Sequence, residues 1–294
     1  RIKRRAGPSG FGRSSTAEEV TEGVDLRGKT ALITGVNSGL GRETARVLAM
    51  RGAHVIAVAR TRAKAEAAAA ELPDASAYAC ELSDPDSVRD CAREVLAGGR
   101  SIDMLICNAG IMALPQLRQE QGYELQFFTN HIGHFVLVTE LREALSETAR
   151  VVMLSSAGHW LATRGLELDN LSGEDDYSAW RAYGRSKLAN ILFAMELSRQ
   201  FEGTGRTANA VHPGTIQTNL GRHMNPLLRA GFAATGFLYT KSVAQGAATT
   251  CYVATHPSLA SVSGRYFADS NIAKMSRYAR DPELARRHVE ISEE

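Results

Sequence analysis

Tyr183 and Lys187 stand four residues apart in the stretch "AYGRSKLANILF", and their types suit proton transfer. On a helix, residues at this spacing lie on one face, one turn apart. A phenol can exchange a proton with a substrate oxygen, and a nearby ammonium favours phenolate and lowers the pKa of the phenol. The same spacing also occurs in ordinary amphipathic helices. The elements around the pair must therefore decide between chemistry and helix packing.

Short apolar runs of strand length alternate with segments of helical period along most of the chain. The predicted strands are 30–34, 54–59, 75–80, 103–107, 150–155, 207–212 and 265–269. The predicted helices are 40–51, 62–72, 84–97, 121–146, 179–201 and 242–256. Each parallel crossover needs a covering helix, so the pattern predicts an α/β fold with one doubly wound, Rossmann-type parallel sheet of about seven strands.

The first strand runs into "TGVNSGLGRETARVLAMRG", where Gly35, Gly39 and Gly41 lead into a helix. Glycine permits a tight turn and lets backbone N–H groups approach a pyrophosphate, while the helix N-terminus contributes partial positive charge. A glycine triplet alone is weak evidence. Its position in the first strand-turn-helix unit of an alternating domain predicts dinucleotide binding.

Composition excludes several other classes of protein. A net charge of +2 gives no overall field that would gather nucleic acid. The four cysteines form no C-x-x-C pair and have no histidine at zinc spacing, so we expect no metal and a reducing, cytoplasmic compartment. No apolar run reaches the roughly 18 residues that a membrane span needs.

Two segments depart from the alternation. Residues 1–25 are basic and lack an apolar signal core, which predicts a flexible arm, with organelle targeting or surface docking as the alternative. Residues 26–294 contain no linker and are expected to form one domain. Within it, residues 219–241 are predicted to be a lid over an apolar ligand, with a packed amphipathic helix pair as the alternative. The lid residues singled out are Leu227, Leu228, Phe232 and Phe237.

Six motifs, in the right order over residues 26–270, resemble the short-chain dehydrogenase/reductase family. They are the Thr34-Gly35 turn with Gly39 and Gly41, "NAG" at 108–110, Asn130 in "TNHIGHF", Ser155-Ser156, Tyr183 with Lys187, and "HPG" at 212–214. "NHIGHF", "YGRSKLANILF" and "SGRYFAD" resemble the retinol dehydrogenase-like branch, which includes plastid translocon-associated members. Together these matches favour catalysis by Tyr183 and Lys187 over the helix-packing alternative.

The resemblance implies roles for particular residues. Tyr183 would be the general acid/base, Lys187 would lower its pKa and bond the nicotinamide ribose, and Ser156 would orient the substrate oxygen. Asn130 would hold a water in a proton relay behind the lysine, with a satisfied buried amide as the alternative. The expected cofactor-binding residues are Gly35, Asn37, Ser38, Gly39, Leu40, Gly41, Arg60, Glu81, Leu82, Asn108, Ala109, Gly110, Tyr183, Lys187, Pro213, Gly214, Ile216 and Thr218.

Three features depart from the family pattern. Cys107 replaces the first Asn of the usual "NNAG" and is taken as a buried thiol, and Glu81 stands where an Asp commonly meets the adenine. Ser156 and Tyr183 are also 183 − 156 = 27 residues apart, a longer separation than is common. The extra segment is expected to build a pocket wall, with His159, Trp160 and Leu161 facing the ligand.

The end of the second strand usually decides between the two nicotinamide cofactors, because an acidic residue there binds the ribose 2′-hydroxyl and repels a 2′-phosphate. Here Ala59 takes that place and is followed by Arg60 and Arg62, which could pair with a phosphate. The alternative is a solvated helix start. The sequence therefore predicts NADP(H) as the preferred cofactor, with NAD(H) possible.

These observations predict an NADP(H)-dependent oxidoreductase that acts on a carbonyl or alcohol of an apolar, lipid-like or polycyclic small molecule. The alternative is a cofactor-binding scaffold or redox sensor that acts through protein contacts. The resemblance implies either a monomer or a homodimer through the helices at 121–146 and 179–201.

Overall fold

The computed structural model describes residues 6–216 and 240–293. Its eight-stranded sheet has the order β10-β9-β8-β7-β4-β1-β2-β3. The strands are β1 Thr30–Thr34, β2 His54–Ala59, β3 Ala75–Ala79, β4 Ile102–Cys107, β7 Leu145–Leu154, β8 Thr207–His212, β9 Tyr266–Ala268 and β10 Asn271–Ile272. All neighbouring pairs are parallel except β9 and β10. The predicted doubly wound sheet is confirmed, with β10 as an added antiparallel edge.

Helices cover both faces of the sheet. They are α1 Ala17–Val20, α2 Gly39–Met50, α3 Arg62–Ala69, α4 Pro85–Ala97, α5 Leu125–Phe127, α6 Gly133–Glu140, α7 Ala179–Gln200, α8 Val243–Thr255 and α9 Pro282–Glu293. Alternate strand residues enter opposite cores: Leu32 packs with α4, α6 and α7, whereas Ala31 and Ile33 pack with α2 and α8. This alternation follows from the two-residue period of a strand. None of the described helices is long and apolar enough to cross a membrane.

The predicted helix at 121–146 is shorter than expected, with a hairpin before it and strand β7 after it. A hairpin of β5 Gln119–Glu120 and β6 Tyr123–Glu124 turns at Gln121 and Gly122, both with positive φ. A π-helical turn at Phe128–Ile132 then joins α5 to α6. Strand β7 begins at Leu145, because this end pairs with Ile102 ahead of a register irregularity. The helical run is therefore limited to 125–140, because α5, the π-helical turn and α6 follow one another without a break.

Residues 6–25 are packed on the domain, in contrast to the predicted flexible arm. Ala17 and Val20 of α1 are buried, and the ring of Phe11 lies 5.5 Å from that of Tyr252 on α8. Asn271 accepts a hydrogen bond from the Ser9 N–H and donates one to the Phe11 carbonyl. Composition indicated a flexible arm because the segment has few apolar residues. Phe11, Ala17 and Val20 are nevertheless enough to pack it against the domain.

We expect Phe11→Ala to lower the free energy of unfolding by about 1 to 3 kcal/mol, since it removes aromatic contacts with Tyr252 and His256. Denaturant titration of both proteins gives the value. Ile272→Ala is a matched control, because Ile272 is an exposed large apolar side chain. Equal stability of Phe11→Ala and the parent protein would show that the segment contributes no packing energy.

Candidate active site

A cavity of about 880 Å³ opens at the carboxyl ends of the parallel strands. Its wall contains residues that follow β1, β2, β3, β4, β7 and β8, so one site collects chain segments from six strands. Ligands of open α/β sheets bind at this edge. All of the predicted site residues that the structure describes line it, except Asn130. Thr218 lies outside the described residues, as do Leu227, Leu228, Phe232 and Phe237.

The glycine turn leaves a cradle beneath α2. Gly35 and Gly39 have positive φ, which side-chain-bearing residues rarely adopt. A Cβ on Gly41 would collide with the carbonyl oxygen of Gly35, so only glycine lets α2 start this close to the turn. Ser38 stands at the N-cap without a capping side-chain bond, so the first N–H groups of α2 are open to a ligand. These features fit a pyrophosphate.

Thr34 and Asn108 fix the relation between the first and fourth strand ends. The Thr34 hydroxyl accepts hydrogen bonds from the N–H groups of Asn108 (2.9 Å) and Ala109 (3.0 Å), and it therefore donates to His134 Nε2 at 2.9 Å. The Asn108 amide donates to the Thr34 carbonyl at 2.7 Å. The "NAG" turn is thus bonded to the glycine turn across the cavity floor.

Ser156, Tyr183 and Lys187 meet at the far end of the cavity. Ser156 follows β7, and its side chain is near enough to the Tyr183 hydroxyl to lower the pKa of that group; both Tyr183 and Lys187 come from α7. Lys187 Nζ lies 5.7 Å from the centre of the Tyr183 ring and donates to the Leu154 carbonyl at 3.1 Å. The neighbouring Ser155 points away and donates to the Lys187 carbonyl at 2.7 Å.

Burial has the largest effect on the pKa values of Tyr183 and Lys187. It raises the pKa of Tyr183, against the opposing effect of the Ser156 hydrogen bond. It also lowers the pKa of Lys187 to about 8. Burial is the larger of the two effects on the phenol, so the pKa of Tyr183 lies above its ordinary value. Tyr183 is a protonated phenol at neutral pH.

Asn130 lies behind the cavity wall in the π-helical turn. Its Oδ1 accepts from the Ile111 N–H at 2.7 Å, and its Nδ2 donates to the Ile111 carbonyl and to Ser186 Oγ, each at 2.9 Å. Its amide is therefore satisfied, as the alternative reading expected. A Cβ on Gly110 would meet both Asn130 Oδ1 (2.9 Å) and Lys187 Nζ (3.5 Å), so Asn130 and the lysine share one side of that glycine.

The cavity wall near β2 carries two cations, and one of them was not predicted. Arg60 lines the cavity with its Nε 2.9 Å from Glu81 Oε2. Arg62 is held outside by Glu94 (2.5 Å) and by the Ala77 carbonyl. Lys64 lines the cavity instead, because it stands two residues, about half a helical turn, further along α3 than Arg62. A cation on the first helical turn after β2 is the sequence feature that could have identified Lys64.

The segment between Ser156 and Tyr183 contributes less to the cavity than predicted. His159 is buried, donates from Nδ1 to the Ser156 carbonyl at 2.7 Å, and accepts at Nε2 from the Ser276 N–H at 3.2 Å. Trp160 is 53% exposed and does not line the cavity, whereas Leu161 does. His159 and Trp160 were thus wrongly placed. Trp180 lines the cavity, and its position three residues before Tyr183 on one helix face could have revealed it.

A doubly wound sheet with a glycine cradle and a buried Ser-Tyr-Lys cluster at its strand ends defines a dinucleotide-binding oxidoreductase fold and site. The short chain dehydrogenase family model matches residues 29–227. The chain is 46% identical over 298 residues to short-chain dehydrogenase TIC 32 A, chloroplastic, from Brassica napus, covering 96% of this chain and 92% of the relative. The chain therefore belongs to the short-chain dehydrogenase/reductase family.

Two further similarities refine this placement. Human retinol dehydrogenase 14 is 40% identical over 291 residues, covering 91% of this chain and 86% of the relative. The crystal structure of a short chain dehydrogenase from Burkholderia cenocepacia in complex with NADP superposes with a TM-score of 0.65 at 26% identity, covering 82% and 96% of the two chains. These relatives support the retinol dehydrogenase-like branch predicted from the motifs.

A metal has no evident place in the site. Across residues 6–216 and 240–293, no group of three or more His, Cys, Asp or Glu side chains could hold an ion. The cradle, the open start of α2 and the cations at Arg60 and Lys64 fit a nicotinamide dinucleotide. Such a cofactor supplies or accepts a hydride when bound.

Proposed function

We propose that the protein is an NADP(H)-dependent oxidoreductase acting on a carbonyl or alcohol of an apolar small molecule. The observation that carries the proposal is the Ser156-Tyr183-Lys187 cluster at the end of a cavity lined by a glycine cradle. Ile111, Met112, Leu161 and Trp180 form apolar wall beside this cluster. An apolar wall with a few convergent polar groups is typical of sites for lipid-like or polycyclic ligands.

The side chains at the site suggest how a carbonyl would be reduced. Ser156 would donate to the substrate oxygen and fix its position. Tyr183, protonated at neutral pH because burial raises its pKa, would give that oxygen a proton. The Lys187 ammonium would stabilise the phenolate that remains and, by family resemblance, bond the ribose. In the reverse direction the same groups would take the proton from an alcohol.

The preference for NADP(H) is supported by Arg60 and Lys64 on the cavity wall. Glu81 already pairs with Arg60, so a 2′-phosphate would have to compete with that carboxylate for the guanidinium. Lys64 has no such competitor among the described residues. The NADP bound to the Burkholderia relative also supports this choice.

We expect Arg60→Ala and Lys64→Ala each to weaken NADP(H) about tenfold while leaving NAD(H) binding nearly unchanged. Only NADP(H) carries the phosphate that these cations would bind. Fluorescence titration of both cofactors measures the ratio. Arg62→Ala is the matched control, because Arg62 is bonded outside the cavity to Glu94. Equal weakening of both cofactors would show damage to the start of α3 rather than loss of a phosphate contact.

A panel of aldehydes, ketones and alcohols, including retinoid and steroid members, tests the function directly. Nicotinamide absorbance is followed with each cofactor, and Tyr183→Phe serves as the inactive control. We expect turnover of at least one apolar member with NADP(H). Tight cofactor binding without turnover of any compound would favour the scaffold or redox sensor alternative. The role of residues 219–241 as a lid remains part of this proposal.

The compartment is proposed to be reducing. All four cysteines are buried and free, which supports the cytoplasmic expectation. The Brassica relative is described as chloroplastic, so a plastid is the alternative.

A further inference from the structure

Two histidines form a buried pair behind the active site. His288 comes from α9 and His131 from the π-helical turn, next to Asn130, and their Nε2 atoms lie 2.6 Å apart. Both side chains are almost fully buried. The rings of Phe127, Phe135 and Phe193 surround His131. Neither histidine lines the cavity, and neither has a role in the chemistry described above.

The hydrogen-bond partners fix the position of each proton. Asn190 Nδ2 donates to the carbonyls of Leu154 (2.9 Å) and Asn130 (3.2 Å), so Asn190 Oδ1 faces His131 Nδ1 at 3.2 Å and can only accept. His131 Nδ1 therefore carries a proton and His131 Nε2 accepts. His288 must then donate from Nε2. This is the arrangement that satisfies the contact between the two Nε2 atoms with both rings neutral.

The surroundings keep the pair neutral at physiological pH. Burial lowers the pKa of His131 far below its ordinary value, with a further contribution from His288 and then His134. Burial also lowers the pKa of His288 to about 4, while the Ala285 carbonyl opposes this change. His134, whose own pKa is lowered to about 4, is the titratable group that links this region to Lys187. The pair therefore acts through fixed hydrogen bonds rather than through charge.

The chain of hydrogen bonds ends at the lysine of the active site. Asn190 lies one turn after Lys187 on α7, and both donate to the Leu154 carbonyl. Asn190 also shares the Asn130 carbonyl with His134 Nδ1. The orientation of the Asn190 amide thus fixes the Leu154 carbonyl, to which Lys187 Nζ also donates a hydrogen bond.

We propose that His288 and His131 are positioning residues, through which α9 fixes the Asn190 amide and, with it, Lys187. The proposal rests on the function proposed above. The Ala285 carbonyl lies near the His288 ring but not in hydrogen-bond geometry, so His288 Nδ1 is left unsatisfied within the described structure, and such a buried polar atom costs free energy that an apolar side chain would avoid. The histidine provides a hydrogen-bond donor at Nε2, which an apolar side chain at this position would not.

Three variants separate positioning from packing. His288→Leu removes the donor to His131, whereas His288→Gln places an amide N–H near the position of Nε2. Val289→Ala is the packing control, because Val289 is buried on the same helix and outside the hydrogen-bond chain. We expect His288→Leu to lower kcat about tenfold and to displace the pH profile of kcat, with unchanged NADP(H) binding. His288→Gln should restore both, and Val289→Ala should lower the unfolding temperature without moving the pH profile.

Two results would overturn the proposal. One is a kcat pH profile of His288→Leu that superimposes on that of the parent protein. The other is a shift of that profile in Val289→Ala equal to the shift in His288→Leu.

A measurement without turnover keeps the test independent of activity. Nitrogen-15 NMR of the histidine-labelled parent protein should show His131 protonated at Nδ1 and His288 at Nε2. The opposite tautomer of His131 would overturn the hydrogen-bond chain even if no substrate were found. The expected tautomers together with no turnover of any carbonyl or alcohol would instead overturn the proposed function, and with it the catalytic role of the pair.

Discussion

Tyr183→Phe is expected to lower kcat by about 10² to 10⁴ while cofactor binding stays within about twofold of the parent protein. The substitution keeps the ring, which is 5% exposed, and removes only the hydroxyl, which lies near Ser156. Proton transfer to the substrate oxygen is lost because the phenylalanine ring carries no ionisable proton. Steady-state kinetics on a substrate from the panel, with cofactor titration alongside, gives both quantities.

Tyr252→Phe is the matched control for this experiment. Tyr252 is another buried tyrosine, but its hydroxyl lies 3.3 Å from Ser258, away from the cavity. We expect nearly full activity from it. Near-parental turnover by Tyr183→Phe would show that the acid is a different group.

Lys187→Met is expected to remove turnover by at least about 10² and, at the same time, to stabilise the fold. Burial lowers the pKa of Lys187 from an ordinary 10.5 to about 8. At pH 7 this difference disfavours folding with a charged amine by at most about 3 kcal/mol. Methionine fills the space without charge, and the Leu154 carbonyl keeps its hydrogen bond from Asn190.

The pH dependence of this stabilisation has a definite sign. Between pH 8 and 10.5 the unfolded chain keeps the Lys187 proton and the folded chain has lost it, so the stability of the parent protein rises with pH. The advantage of Lys187→Met should therefore be full below about pH 8 and disappear by about pH 10.5. Denaturant titrations across this range measure it, with Lys274→Met as the exposed control. A destabilised Lys187→Met at pH 7 would show that the amine is a net stabilising contact.

Much of the fold was predictable because strand and helix periods are local properties of the chain. The strands at 30–34, 54–59 and 207–212 were predicted with their observed limits. The motif order also identified the family, and five of the six motifs, all but that of Asn130, name residues that line one cavity. What the pattern missed was the hairpin before α5, where Gln121 and Gly122 take positive φ and interrupt a helical period.

Packing partners were not predictable, because they belong to distant parts of the chain. Residues 6–25 looked flexible by composition, yet Phe11 finds Tyr252 across the domain. His159 looked like a ligand-facing residue, yet the Ser276 N–H and the Ser156 carbonyl occupy both of its nitrogens. Tyr252 lies 252 − 11 = 241 positions from Phe11, and Ser276 lies 117 positions from His159.

The sequence by itself determined the class of the protein, because the glycine turn and the Tyr183-Lys187 spacing are short-range patterns with a direct chemical meaning. Only the tertiary structure decided which charges face the ligand. Arg60 and Arg62 both follow β2 in the sequence, but in the folded protein Arg62 pairs with Glu94, whereas Arg60 and Lys64 line the cavity. It also decided that a helix at the far end of the chain reaches Lys187, since a chain of hydrogen bonds through His288, His131 and Asn190 exists only after folding.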